Sequence, residues 1–131
     1  VAESPTEIAH FLQTVHSLAI TQAGTSGRQF TRLLDALNIR DQVEPKVKLM
    51  AGGEPMAALL ARLVEVAGLP LTNISPVSGV AARAICPVDM GVHFDLAFCV
   101  RKNAIAATHD FAAWLMDDAQ SKQMQSLGIL K

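Results

Sequence analysis

The chain has 131 residues and a formal net charge of −1, with 50% apolar and only 18% charged residues. Such a composition excludes intrinsic disorder, because there is ample apolar surface to bury. The scattered charges and a pI of 6.4 disfavour nucleic-acid binding, and no apolar stretch is long enough to span a membrane.

Helical and extended patterns alternate along the first half of the chain. Ser4 and Glu7 have the spacing of a capping box, with Pro5 at the first helical position. Apolar residues three and four apart predict helices, and alternating apolar residues predict strands. The elements predicted here are a helix over about 5–16, a strand at 18–21, a helix over about 26–36, a helical turn at 41–43, a strand at 47–51 and a helix over 54–66 that Gly68 ends.

The second half continues this alternation with less regular patterns. Its predicted elements are a strand at 69–75, a turn at 76–79, a possible strand at 80–85, a buried strand at 94–100, a helix capped by Thr108 and a final helix from Asp117 to Leu127. Strands that alternate with helices predict an α/β fold, here a three-layer α-β-α lobe with a mostly parallel sheet.

The loop Gly24-Thr25-Ser26-Gly27 is the best candidate for a binding site. It joins a predicted strand to a predicted helix, whose first N–H groups have no intrahelical partners and carry partial positive charge. An anion could be held there by backbone N–H groups and by the hydroxyl of Thr25 or Ser26. The ordinary alternative is a helix cap and a turn, since serine, threonine and glycine are common in both.

A second junction, Gly52-Gly53-Glu54-Pro55-Met56, follows the same strand–loop–helix order. Its N–H groups could face the same crevice. Glu54 is awkward beside an anion, and its ordinary role is that of a first-turn acid that complements the helix dipole.

Catalytic and metal-binding patterns are weak. His10 and His16 are not spaced as ligands on one helical face, and His93 and His109 belong to no compact metal-binding pattern. No set of acid, base and nucleophile is recognisable, so the sequence predicts neither an enzyme nor a cofactor or metal site. Cys86 and Cys99 could pair if their strands are neighbours, but two buried thiols are favoured.

An ordered set of segments runs through nearly the whole chain. The set comprises Leu18-Ala-Ile-Thr with the loop 24–27, Phe30-Thr-Arg-Leu-Leu-Asp-Ala-Leu-Asn-Ile, Val47-Lys-Leu-Met, Gly52-Gly-Glu-Pro-Met-Ala-Ala-Leu-Leu-Ala, Leu71-Thr-Asn-Ile-Ser, Pro76-Val-Ser-Gly-Val, 94–100 and Phe111-Ala-Ala-Trp-Leu-Met-Asp-Asp-Ala-Gln. This order resembles the second half of the molybdate-binding family of type II periplasmic solute-binding proteins, which serve ABC importers. The order of the segments carries the resemblance, since none of them is specific alone.

The resemblance implies two α/β lobes joined by a hinge, with an oxyanion or small organic acid in the cleft. Residues 1–79 would form the second lobe, and 80–131 would be the returning strand and the closing helices that pack on the first lobe. The implied ligand-binding positions are Thr25, Ser26, Gly27, Pro55, Met56 and, near the hinge, Asn73. Asn73 or Ile74 falls where some members carry a tyrosine, and this chain has none.

The resemblance further implies a periplasmic or extracytoplasmic location and a membrane permease of the ABC type as partner. The first-lobe loops, with their hydroxyl side chains, would belong to a segment that precedes Val1. The missing initiator methionine and signal peptide agree with a processed product or a cut chain. The competing hypothesis is the ligand-sensing effector domain of a LysR-type transcription regulator, which has the same general fold.

The low charge content leads to a separate expectation about assembly. Without a first lobe, the segments 94–100 and 111–116 would expose their apolar faces as a large patch. We therefore expect the chain to self-associate, one route being exchange of its C-terminal strand and helices. For the same reason the chain alone should bind its ligand weakly, since half of the donors would be missing.

Overall fold

The computed structural model describes residues 1–74, 77, 79–95 and 97–129. Its elements, in chain order, are α1 (Pro5–Thr14), β1 (Leu18–Thr21), α2 (Thr25–Ala36), α3 (Arg40–Val43), β2 (Val47–Met50), α4 (Glu54–Leu60), β3 (Val66–Gly68), α5 (Leu71–Ile74), α6 (Ala106–Met116) and α7 (Ser121–Ser126). Short 3-10 turns lie at Glu44–Lys46, Val88–Met90 and Asp118–Gln120. Within the described ranges, no helix is long and apolar enough to cross a membrane.

The sheet has three parallel strands in the order β2-β1-β3. Leu18 of the central strand lies beside Val47 on one side and beside Val66 on the other. The chain therefore leaves β1, adds β2 at one edge and then crosses to the opposite edge to add β3. The prediction of an α/β fold with a parallel sheet is confirmed.

Helices cover both faces of the sheet. Successive residues of β1 point to opposite faces, so Leu18 and Ile20 face one layer and Ala19 faces the other. The first layer holds most of the core. It is formed by side chains from α1, α2, the residue before α3 and the end of α3: Ile8, Leu12, Phe30, Leu33, Leu34, Ile39 and Val43. The second layer packs Ala58 of α4 and Val64 against Ala19. The small sheet is therefore compatible with the predicted α/β lobe.

The core comes entirely from the first half of the chain. Every buried apolar side chain lies between Ile8 and Val64, and none of the described residues after Val64 is buried. The described residues after Val64 contribute only partly buried side chains to this core, among them Ala84, Cys86, Met90 and Val92.

The capping box at the start of α1 is confirmed. The Glu7 backbone N–H donates to Ser4 Oγ at 3.3 Å, and the Ser4 backbone N–H donates to Glu7 Oε2 at 3.1 Å. Ser4 Oγ also donates to Glu7 Oε2 at 2.8 Å. The hydrogen bonds that Oε2 accepts, first that from the Ser4 hydroxyl and then those from the backbone N–H groups of Ser4 and Glu3, lower the pKa of the Glu7 carboxyl below its usual value.

The prediction of a helix over 54–66 is wrong in its second half. α4 ends at Leu60, Arg62 takes a left-handed backbone conformation with φ of 59°, and Val66–Gly68 forms β3. Apolar spacing alone would continue the helix, but pairing with β1 satisfies the backbone of Val66–Gly68 instead. Gly68 is therefore a strand residue and not a helix stop.

Three further predicted strands are wrong within the described residues. Of 69–75, Leu71–Ile74 forms the short helix α5, while Ser75 lies outside the described residues, as do Pro76 and Ser78 of the predicted turn. Of 80–85, only Ala84 makes an isolated bridge, to Ala2.

The segment 94–100 is not a strand at any described position, and Leu96 lies outside the described residues. A buried strand requires a neighbouring strand to bond its N–H and C=O groups, and this segment lies beside none in the described part of the chain. Its Phe94 and Phe98 side chains are 41% and 58% exposed. The predicted cap of the following helix is also displaced, because α6 begins at Ala106 and Thr108 lies inside it.

The Glu7 carboxylate should make the stability of the chain depend on pH. A pKa that is lowered in the folded state adds stability above the unfolded pKa, and this contribution is lost as the pH falls through the folded value. Glu7→Gln keeps an oxygen acceptor but cannot ionise. We expect wild type to be more stable than Glu7→Gln at pH 7, and this advantage to shrink as the pH falls from 7 to 3, below the ordinary glutamate pKa of about 4.3. Urea unfolding followed by circular dichroism at both pH values measures this difference.

Glu3→Gln is the matched control, since it removes a neighbouring exposed carboxylate that accepts no hydrogen bond from the described residues. A Glu7→Gln profile parallel to that of wild type across this range would contradict the assignment.

Candidate functional site

The two strand–loop–helix junctions lie at the same edge of the sheet. β1 and β2 are parallel, so their last residues, Thr21 and Met50, lie side by side. The Gln22 N–H donates to the Met50 carbonyl at 2.8 Å, which ties the two loops together where they begin. In open parallel sheets, the crevice outside the carboxyl ends of the strands is the usual place for a ligand.

The N-terminus of α2 has no internal cap. Its N-cap residue is Gly24, with φ of 106°, and no side chain caps the helix. The N–H groups of Thr25, Ser26 and Gly27 donate to no other residue in the described part of the chain, and the first turn contains no acid. This helix end therefore presents unpaired N–H donors together with the positive end of the helix dipole.

Gly27 is required by packing at this junction. A Cβ at this position would lie 2.2 Å from the Thr21 carbonyl oxygen, a distance that no side chain tolerates. Gly27 is buried, and its small size lets α2 begin directly over the end of β1. The glycine that the sequence places in a binding loop thus has a structural reason of its own.

The second junction differs from the first because it carries its own carboxylate. Gly53 has φ of 84°, and Glu54 Oε2 accepts a hydrogen bond from the Ala51 N–H at 2.7 Å. Glu54 lies in the first turn of α4, where its charge complements the helix dipole. An anion at this helix end would meet that charge, so the α2 end is the better anion site.

An open cavity of about 1000 Å³ lies between the sheet with its helices, residues 5–68, and the C-terminal part of the chain. Ser26 and Met56 both line it, so two of the six predicted positions meet there. Most of the other lining side chains are apolar, as in many ligand sites.

The other four predicted residues do not line this cavity in the described structure. Thr25 is exposed at the first position of α2, and Gly27 and Pro55 are buried in packing. Asn73 is exposed on α5, although its neighbours Thr72 and Ile74 reach the cavity wall.

Gln29 is a cavity residue that the sequence analysis missed. It lies one turn after Ser26 on the same face of α2 and lines the same cavity. Its Nε2 donates to the His93 carbonyl at 2.5 Å, while its Oε1 is buried and has no hydrogen-bond partner among the described residues. The spacing from Ser26 could have identified this face, but no local pattern indicates a partner 64 residues away.

The histidines and cysteines form no reactive cluster. Within the described ranges, no group of three or more His, Cys, Asp or Glu side chains could hold a metal ion. His16 contacts Glu65 at the surface, with 3.2 Å between Nδ1 and Oε1.

Both cysteines are free thiols, but the expectation that both are buried is wrong, because Cys99 is exposed. Partial burial raises the pKa of the Cys86 thiol.

Comparison with known proteins adds no relative. A scan against protein-family models, a search of curated proteins and a search of solved structures each return no match to this chain.

The contact between Gly27 and Thr21 gives a testable prediction. Gly27→Ala should destabilise the fold by about 1–3 kcal/mol, because the new methyl group must push α2 away from the end of β1. Gly52→Ala is the matched control, since a Cβ at Gly52 meets nothing within 4 Å, and its effect should stay within about 0.5 kcal/mol. Denaturant unfolding of both variants measures the difference, and equal stability of the two would show that α2 does not approach β1 this closely.

Proposed function

We propose that this chain is a solute-binding α/β lobe that holds a small oxyanion at the carboxyl edge of its sheet. The observation that carries this proposal is the uncapped N-terminus of α2, which lies over the end of the central strand. In this proposal the anion accepts hydrogen bonds from the N–H groups of Thr25, Ser26 and Gly27.

Ser26 would supply the side-chain donor of this site. It is half-buried at the second position of α2 and lines the cavity, so its hydroxyl can add to the backbone donors. All of these groups are neutral, and the positive end of the helix dipole provides the electrostatic attraction. Binding by neutral donors involves no bond making or breaking, which agrees with a carrier and not with an enzyme.

The biological setting that we propose is import through an ABC transporter. This proposal rests on the order of segments that resembles the molybdate-binding solute carriers, and it includes an extracytoplasmic location and a permease as partner. A second set of donors, facing α2 across the cleft, would belong to another lobe. The chain by itself should therefore bind its anion more weakly than a complete two-lobed carrier.

Direct titration of the chain tests the binding proposal. We expect molybdate, tungstate, sulfate or phosphate to raise the unfolding temperature in a saturable way, because a ligand that binds only the native state stabilises it. Sodium chloride at matched ionic strength controls for general salt effects. Calorimetric titration then gives the affinity for the anion that stabilises most, and the absence of any response to all four oxyanions at millimolar concentration would overturn the proposal.

A serine substitution locates the site. Ser26→Ala should weaken binding of that oxyanion by about tenfold, since hydrogen bonds to charged groups contribute more than neutral ones. Ser121→Ala is the matched control, because it removes a hydroxyl at the start of α7 and outside the cavity lining. Equal affinities for the two variants would show that the Ser26 hydroxyl does not donate to the anion.

A further inference from the structure

The cavity beside Ser26 is far larger than a bare oxyanion requires. Its volume of about 1000 Å³ lies at the upper end of the range of about 300–1,000 Å³ that is typical of sites for drug-sized ligands. A tetrahedral oxyanion such as sulfate is much smaller, and at the start of α2 it would leave most of this space open. The cavity therefore fits a ligand with a larger body.

The wall away from Ser26 is largely apolar. Phe94, Phe98 and Met116 line the cavity, and all three side chains are exposed. The charged side chains of the lining are also exposed and are balanced in sign: Arg62, Glu65, Arg83 and Asp95. Covering apolar side chains with an apolar ligand removes both surfaces from water, which lowers the free energy. The wall thus suits a ligand body that is uncharged and apolar.

Gln29 places a polar group within this wall. Its Nε2 donates to the His93 carbonyl, and because a carbonyl can only accept, this bond fixes the orientation of the amide. The Oε1 atom is left buried, with no hydrogen-bond partner among the described residues. A buried acceptor without a donor is unfavourable, and Gln29 lies only one turn after Ser26. A ligand that fits should therefore carry a hydroxyl or N–H group near its anionic end.

Two contacts hold the C-terminal wall of the cavity in place. The bond from Gln29 to His93 joins α2 to the segment that carries Phe94. Gly128, with φ of 83°, approaches α5 so closely that a Cβ there would lie 2.7 Å from the Leu71 carbonyl carbon. Both Leu71 and Gly128 line the cavity, so packed elements bound it on this side as well.

We infer that the ligand is a carboxylic acid with an apolar body and a hydroxyl or N–H group next to its carboxylate. The carboxylate accepts hydrogen bonds at the start of α2, and the neighbouring donor bonds to Gln29 Oε1. The apolar body covers Phe94, Phe98 and Met116. This inference rests on the proposed oxyanion site, because the carboxylate is the oxyanion, and it names the class of molecule that carries that group.

A series of four compounds tests this ligand class by calorimetric titration of the chain. The compound α-hydroxyoctanoate has all three features and should bind most tightly. Octanoate lacks the added donor and should bind about fivefold more weakly, and octanol, which also lacks the carboxylate, should lose about a further tenfold. Lactate lacks the apolar body, and each buried methylene that is missing should weaken binding by about fourfold.

Matched substitutions locate the ligand within the cavity. Gln29→Met keeps the length of the side chain but removes the acceptor, so α-hydroxyoctanoate should lose its advantage over octanoate, while octanoate keeps its affinity. Phe98→Ala should weaken octanoate binding by about tenfold. Phe111→Ala is the control, since Phe111 is 59% exposed against 58% for Phe98 but lies outside the lining, and it should leave the affinity unchanged.

Alkylation of the two cysteines gives a second measure of the site. Cys86 lines the cavity, whereas the exposed Cys99 does not. Bound α-hydroxyoctanoate should slow the reaction of Cys86 with a maleimide and leave that of Cys99 unchanged, which mass spectrometry of the labelled chain measures. Equal rates for Cys86 with and without the saturating acid would place the ligand elsewhere and overturn the inference.

The outcomes separate this inference from the proposed function. Equal affinities for lactate and α-hydroxyoctanoate overturn the inference, because the apolar body then contacts nothing. If molybdate or sulfate still stabilises the chain in that case, the proposed oxyanion site stands without it. Octanol that binds as tightly as octanoate also overturns the inference, and together with no response to inorganic oxyanions it refutes the anion site on which both proposals rest.

Discussion

The whole fold depends on the burial of β1 between two parallel neighbours and two helical layers. A central parallel strand bonds its N–H and C=O groups to both sides, and β1 pairs with β2 over Leu18–Thr21 and with β3 over Leu18–Ile20. Its side chains then meet two different layers: Leu18 and Ile20 contact the large α1 and α2 core, while the small Ala19 lets α4 approach the other face. This constraint explains why four residues suffice for a central strand, and it brings the loops after β1 and β2 to one edge.

The candidate site follows from that arrangement through a single close contact. α2 can begin over the end of β1 only because Gly27 has no Cβ to meet the Thr21 carbonyl. The same approach directs the first N–H groups of α2 towards the edge of the sheet, and with Gly24 as N-cap no side chain satisfies them. Packing thus requires glycine at position 27, whereas the helix end is uncapped because Gly24 at the N-cap has no side chain. At the α4 junction, the Glu54 carboxylate takes up one N–H group of the loop, and the two junctions are therefore not equivalent.

Local signals predicted the parts of the fold that local forces determine. The capping box identified the start of α1, and apolar spacing located α2, β1 and β2 to within a few residues. β3 was missed because Val66 continues the apolar spacing of α4, and only its pairing with β1 distinguishes a strand from a helix there. The segment 94–100 shows the opposite error, since its composition suits a strand but no neighbouring strand lies beside it in the described structure.

Of the candidate site, sequence located Ser26 and Met56, while Gln29 depends on a contact with distant His93 that no local pattern encodes.

The unusual composition of the chain has a structural counterpart in how its two halves differ. Among the described residues, those up to Val64 supply every buried apolar side chain, so the α/β unit has its own core. The described residues beyond Val64 are comparably apolar, yet none of them is buried, and the aromatic side chains among them, Phe94, Phe98, Phe111 and Trp114, are all exposed. Apolar surface that is exposed in one chain lowers the free energy only when something covers it, and each exposed aromatic side chain therefore favours association. The low charge content of the chain is in keeping with such a surface, because few charges would then have to leave water when it is covered.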